Sequence, residues 1–362
     1  MKQRKQNGIT AIIAVLVTLS LFTACKNKEG NMDIVKIRND IEKLVENSGF
    51  SGCILLKDKN KHIIFSYFCG DASKEYEVKN SLDTRFSIAS IGKSITGIVI
   101  TKLMEEGRID PSQTVSEYVA LKNNIFNQIT IEQLLTHTSG LGDYFIQAFN
   151  TSRFTPYENL SDYIGIIEQA DLAFSPGEKW SYSNLGYIVL GLVVESITGM
   201  SFRSYVEQTI FIPANMTNSG FWLNDEIIKN RATCYAYDNE RKKWRAQTFM
   251  PILRGDSAGG WYSTVVDLSN FMDAVLNNTL LSEFYTDKAI TPKPELNAPN
   301  YGYGFYVSDR KIGHGGNGMG ISTYLGHYKS IGYTLAILCN YSSGADDVNR
   351  IFDKYLCGKA IE

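Results

Sequence analysis

The spacing of apolar residues changes twice along this chain, and those changes limit the fold more than any other feature. Ser51 to Leu56 and Ile63 to Phe68 are short apolar runs flanking the polar turn Asp58-Lys59-Asn60-Lys61, a β-hairpin pattern. From about Ser90 to Asn278 the spacing turns helical, in Ser90 to Glu106, Asn184 to Thr198, Phe202 to Phe211 and Val265 to Leu276. Strand signals return as Tyr301 to Val307, Lys311 to His314, Ser322 to Tyr328 and Tyr333 to Asn340, before a last helix from Ala345 to Leu356. An amphipathic helix on Ile34, Ile37, Ile41 and Leu44 precedes the hairpin. Strands confined to the two ends bury their apolar faces best in a shared sheet. The expected fold is α+β: an antiparallel sheet formed from both termini, flanked by helices, with a mostly helical subdomain inserted. The expected domain runs over 33–358, its α/β part about 33–89 and 290–358 and its helical part about 90–289.

The N-terminus has its own logic. Lys2, Arg4 and Lys5 precede an apolar run from Ile9 to Phe22 and then Thr23-Ala24-Cys25, which reads as an export signal over 1–24. The run is short for a membrane span. Thr23-Ala24-Cys25 resembles a bacterial lipoprotein box, with Phe22 where such boxes usually carry Leu. That resemblance implies a lipid on Cys25, a polar tether over 25–32 and a membrane-anchored protein of the bacterial cell envelope. Cleavage without lipid is the alternative, and it too places the protein outside the cytoplasm. The formal charge is −2, and loss of the basic signal leaves the mature chain more acidic, so nucleic acid is not an expected partner. Cys53, Cys69, Cys234, Cys339 and Cys357 are scattered in a chain large enough to fold without staples, and read as mostly buried free thiols. With four histidines and no CxxC, HxH or HExxH, no metal site is expected.

Several short patterns compete for the chemistry. Gly255-Asp256-Ser257-Ala258-Gly259 fits GxSxG, but the next helix begins near Thr264, too late for a nucleophile elbow on Ser257. Gly313 to Gly318 fits GxGxxG, but a strand-like run follows it where a dinucleotide site needs a helix. SxxK occurs at Ser90/Lys93 and at Ser308/Lys311. Only on a helix do residues i and i+3 share a face, and Ser308 to Lys311 lies between two strands, where a hairpin turn is expected. Ser90 opens a helix whose apolar side is Ile95, Ile98, Val99 and Leu103. Burial there lowers a lysine's pKa and lets Lys93 act as a base toward a serine that is otherwise a poor nucleophile. Of three YxN matches, Tyr182-Ser183-Asn184 alone follows a turn and precedes a strongly apolar helix. Tyr157 and Tyr237 read as surface tyrosines. His314-Gly315-Gly316 closes a strand with residues small enough to let a substrate backbone lie alongside.

Ser90-x-x-Lys93, Tyr182-x-Asn184 and His314-x-Gly316, in this order, resemble the serine β-lactamase and penicillin-binding-protein superfamily. The nearest branch is that of class C β-lactamases, DD-peptidases and related esterases. Phe86 to Ser90, Leu134 to Leu141, Pro176-Gly177 with Trp180 to Asn184, and Ser257 to Gly260 look like further family blocks. The resemblance implies that Ser90 forms an acyl-enzyme while Lys93 and Tyr182 share acid/base duty, Tyr182 as a depressed-pKa phenolate or a proton relay. It implies that Asn184 bonds Lys93 and the substrate amide. It places the oxyanion between the N–H groups of Ser90 and Asn317, with the substrate along His314, Gly315 and Gly316. No cofactor is implied. The implied substrates are small amides, peptides or esters, among them D-Ala-D-Ala-type peptides, other peptidoglycan-derived peptides and β-lactams. The chain departs from β-lactamases of this branch at His314, where they carry the lysine of Lys-Thr-Gly. The alternative reading is a non-catalytic envelope lipoprotein that binds peptidoglycan fragments or a partner.

Overall fold

Six antiparallel strands draw the two chain ends into one sheet. In the computed structural model, which describes residues 33–47, 49–144, 157–247 and 253–357, these are β1 (Gly52–Lys57), β2 (Ile63–Cys69), β3 (Tyr306–Val307), β4 (Lys311–Gly318), β5 (Ile321–Tyr328) and β6 (Tyr333–Cys339). Their order is β2-β1-β6-β5-β4-β3. The N-terminal hairpin joins the C-terminal meander through β1 and β6, with Ile54 opposite Ile337. The export signal, the tether and Cys25 lie outside the described residues.

Alternation along the central strands sends side chains to two different cores. Ile54, Leu56, Leu335 and Ile337 pack with Ile37, Ile41, Val348 and Phe352, from helices α1 (Ile34–Glu46) and α5 (Ala345–Leu356). Cys53, Leu55, Ala336 and Leu338 face the larger core. There they meet α4 (Val265–Leu276) and, deeper, α2 (Gly92–Glu105) and α3 (Asn184–Thr198). Both faces of β1 and β6 are thus covered, which is why their apolar runs are continuous. The five cysteines among the described residues are unpaired.

The middle of the chain departs from a helical reading. Tyr235–Asp238 pairs with Lys243–Ala246, and Phe86–Ser87 with Tyr262–Ser263. The first pair is a hairpin in which Tyr235 and Tyr237 lie two residues apart and Tyr237 faces Trp244, a period of two inside a region whose other runs are helical. Tyr301 to Val307 supplies only the two-residue β3, because the Gly302 N–H bonds the Phe305 carbonyl in a turn and Tyr303 and Phe305 enter the helical core. Phe202 to Phe211 is an α-helix to Val206 and then one π turn.

Helix α2 is buried on every side from Gly92 to Thr101, so its neighbours approach to backbone distance. A methyl group on Gly97 would stand 2.0 Å from the Tyr303 carbonyl oxygen. Helix propensity alone favours alanine over glycine by up to about 1 kcal/mol. Backbone cannot retreat as a side chain can, so the clash prevails. Gly97→Ala should therefore lose about 1–3 kcal/mol, read as a lowered urea midpoint at unchanged slope.

Candidate active site

The peptide segment that carries Ser90 is bent before the helix begins. Ala89 has φ +46°, an uncommon value for a residue with a side chain. Ala89–Ile91 forms a 3-10 turn that runs into α2, so Ser90 precedes the α-helix instead of opening it. The turn is fixed from two sides. The Gly260 N–H donates to the Ala89 carbonyl at 3.1 Å, and the Thr323 hydroxyl of β5 donates to the Ile88 carbonyl at 3.0 Å. Strand β4 passes so closely that a methyl group on Gly316 would meet Ala89 Cβ and the Ile88 oxygen at 2.8 Å each. Gly316 is thus what lets the strand bearing Asn317 lie against the Ser90 turn.

Lys93 is wholly buried. Its Nζ donates to Asn184 Oδ1 at 2.6 Å and to the Ala258 carbonyl at 2.7 Å, and lies 3.2 Å from Ser90 Oγ. Burial pulls the lysine down to about 7, against a weaker opposing pull from Asp256 and Asp143. As a free base, Lys93 has two N–H bonds and one lone pair. The two carbonyl oxygens only accept, so they take both N–H bonds. The lone pair is left facing the Ser90 hydroxyl. Asn184 cannot be reversed without loss, because its Nδ2 donates to the Asp143 carboxylate at 2.8 Å. That contact engages the Asn184 amide nitrogen within the protein.

Tyr182 stacks over the same amine, with Lys93 Nζ 4.9 Å from its ring centre. Burial pushes its phenol up, while a hydrogen bond with Ser90 pulls it partly back. That direction opposes a depressed-pKa phenolate and favours a neutral phenol that passes protons on.

His314 is buried, not at the strand's end but inside β4. Burial, reinforced by the neighbouring Lys93, lowers it to about 3. Its hydrogen bonds agree with a neutral ring. The Ser183 N–H donates to His137 Nδ1 at 3.1 Å, so the His137 proton sits on Nε2 and reaches the Tyr301 hydroxyl at 3.2 Å. Tyr301 donates in turn to His314 Nε2 at 3.0 Å, and His314 Nδ1 donates to the Gly315 carbonyl. Each ring nitrogen in this line has a partner that two neutral imidazoles satisfy. His137, Tyr301 and Asp143 escaped the sequence reading. His137 lay inside a block whose role was unassigned, and nothing in their spacing linked the other two to Ser90.

The competing motifs find other roles. Ser257 is fully buried with its hydroxyl unpartnered, and the following helix starts only at Val265. The GxSxG stretch serves through its backbone, offering the Ala258 carbonyl to Lys93 and the Ser257 carbonyl to Thr96. Lys311 pairs with Asp353 at 2.7 Å, and Ser308 holds the turn between β3 and β4. Tyr237 is exposed, but Tyr157 is buried beside Tyr163, since the segment after Pro156 folds into the core. Ser90, Asn184 and Asn317 line one cavity of about 660 Å³; Lys93 and Tyr182 adjoin Ser90.

The family described as Beta-lactamase matches residues 37–356. A protein of Bacillus subtilis (strain 168) named as a penicillin-binding protein, PbpX, is 28% identical over 313 residues, 86% of this chain and 76% of that one. A solved penicillin-binding protein from Bacillus halodurans superposes with a TM-score of 0.79 at 31% identity, covering 87% of this chain and 98% of its own. An octameric penicillin-binding protein homologue from Pyrococcus abyssi gives 0.78 at 27% identity, over 91% of this chain and 78% of its own. The fold and superfamily implied by the ordered motifs are borne out.

The lowered pKa of Lys93 fixes the sign of two measurements. Phosphonylation of Ser90 by a fluorophosphonate should accelerate as pH rises through about 7, where Lys93 loses its proton, and a rate flat from pH 5.5 to 9 would contradict the base. Between about 7 and the ordinary 10.5 the unfolded chain holds a proton on this lysine that the folded chain does not, so folding gains stability as pH rises through that window. The stability advantage of Lys93→Met should accordingly be largest below pH 7 and shrink toward pH 10.

Proposed function

The chain belongs to the β-lactamase family, whose members act on amides, esters or β-lactams through a serine, and from that premise we propose that it is a serine hydrolase working through an acyl-enzyme on Ser90. The observation that carries the reading is the single lone pair of Lys93, left over by two carbonyl acceptors and aimed at the Ser90 hydroxyl. Lys93 takes the hydroxyl proton as Ser90 Oγ bonds to the substrate carbonyl carbon. The developing oxyanion rests on the N–H groups of Ser90 and Asn317, which β4 holds beside the Ser90 turn. The neutral phenol of Tyr182 delivers a proton to the leaving nitrogen or oxygen as its bond to carbon breaks, and is reprotonated from Lys93. Water then repeats the sequence on the acyl-enzyme and releases the acid.

The neutral His314 bears on the substrate. A β-lactam carries a carboxylate that a lysine at this position could pair with, and an uncharged, fully hydrogen-bonded imidazole cannot. Small esters and amides, and peptides whose leaving residue bears no free carboxylate, therefore fit the site better than β-lactams. A binder without catalysis gains nothing from a buried free amine, which costs stability at neutral pH. The reading of 1–24 as an export signal and of Cys25 as a lipid anchor places this activity in the cell envelope.

Three outcomes follow. A fluorophosphonate should label Ser90 in the parent and not in Ser90→Ala, and absence of any adduct would falsify the hydrolase reading. Tyr182→Phe should cut kcat on p-nitrophenyl esters by about 10²–10⁴-fold, with nitrocefin a poor substrate of the parent. In a bacterial host Cys25→Ala should move the protein from the membrane fraction to the soluble one.

A further inference from the structure

The cavity of about 660 Å³ beside Ser90 is larger than the reacting atoms need, and an arginine stands in its wall. Ser90 and Asn317 share its lining with a cluster of Arg231, Asn224 and Tyr262. Tyr182 and His314 do not line it. In the proposed reaction Tyr182 protonates the leaving group, so the leaving group lies on the Tyr182 side. What fills this cavity is the part of the substrate that stays on Ser90.

Arg231 is the one lysine or arginine lining that cavity among the described residues. Its backbone is tied to the segment that leads to the nucleophile: the Arg85 N–H donates to the Asn230 carbonyl and the Ala232 N–H to the Arg85 carbonyl, immediately before Phe86–Ser87. Its side chain is held as well. Nη1 donates to the Asn224 carbonyl at 2.7 Å, and the guanidinium lies 5.9 Å from the Tyr262 ring centre. Tyr262 is itself tied to Asn224 Oδ1 at 2.9 Å. Among the described residues no carboxylate forms an ion pair with Arg231. The two acids that line the cavity are engaged elsewhere, Asp143 by Asn184 and Asp256 by Tyr163 and the Ala258 N–H. A planar guanidinium has more donors than these contacts use, and its fork matches a carboxylate.

We infer that Arg231 selects substrates whose acyl part carries a carboxylate, which it binds where Asn224 and Tyr262 line the cavity. The inference rests on the serine hydrolase reading and adds a substrate class to it. It also answers the departure at His314: cationic recognition has moved from the leaving-group side of Ser90 to the acyl side.

The test compares two 4-nitrophenyl esters of equal chain length, the monoester of adipic acid and the ester of hexanoic acid, on the mature protein. The parent should prefer the adipoyl ester in kcat/KM. The ratio of the two kcat/KM values should fall about tenfold or more in Arg231→Gln, the range expected when a charged hydrogen bond is lost, and should be largely retained in Arg231→Lys. In the parent alone, rising NaCl should erode the adipoyl preference, a readout that stands even where a variant folds poorly. No preference in the parent, or a ratio that Arg231→Gln leaves unchanged while Ser90 is still phosphonylated, overturns the role of Arg231 and leaves the hydrolase reading in place. If neither ester is turned over and Ser90 takes no phosphonyl group, the hydrolase reading fails and this inference falls with it.

Discussion

A primary amine without a charged partner, enclosed in the protein interior, is the constraint around which this structure is arranged. Lys93 comes from α2, its acceptors from the start of α3 and from the loop at Ala258, and Ser90 from the turn that precedes α2. A wholly buried lysine tolerates neither a missing acceptor nor a misplaced one. These segments are therefore locked to one another at the site where Ser90 must be aimed. The close contacts of Gly97 with the Tyr303 backbone and of Gly316 with Thr323, Ala89 and the Ile88 carbonyl serve the same end, because neither position has room for a side chain.

A second line of polar groups secures the opposite wall. The hydrogen bonds from Ser183 through His137, Tyr301 and His314 to Gly315 connect the loop of Tyr182 to strand β4. Adding a proton to His137 would set its Nδ1 against the Ser183 N–H, and adding one to His314 would force the Tyr301 hydroxyl to turn away from it. Burial and the nearby Lys93 act in the same sense on both rings. The line therefore holds the tyrosine loop and the strand in register without adding charge beside a base that must stay uncharged to function.

Much of this could be read from residue order. The two-ended sheet followed from the change of apolar period, and α3 and α4 run over the residues that the spacing marked, Asn184 to Thr198 and Val265 to Leu276. Ser90 and Lys93 meet through one helical turn, a local feature that sequence expresses directly, whereas Asn184, 91 residues on, was legible only through the order of the motifs. Tyr301 and Asp143 were out of reach: each is set beside the site by tertiary packing over long sequence separations. The state of His314 and Tyr182 depends on burial, which composition does not reveal. Arg231 was hidden for a related reason, since it stands in a polar stretch whose neighbours resemble ordinary surface. Only the pairing of Arg85 with the segment around Arg231 brings it to the cavity that Ser90 lines.

The placing of Asp256 shows how narrowly the site is balanced. Its carboxylate is buried near enough to favour the charged lysine, yet its oxygens accept from Tyr163 and from the Ala258 N–H, and not from Lys93. A direct ion pair would make Lys93 a permanent ammonium and consume the lone pair that faces Ser90. By presenting carbonyl oxygens to the amine and keeping the carboxylate behind a phenol, the loop from Gly255 to Gly259 satisfies both buried groups. It stops short of neutralising one with the other. The same residues that mimic a nucleophile elbow in sequence thus set the protonation state of the base for a different serine.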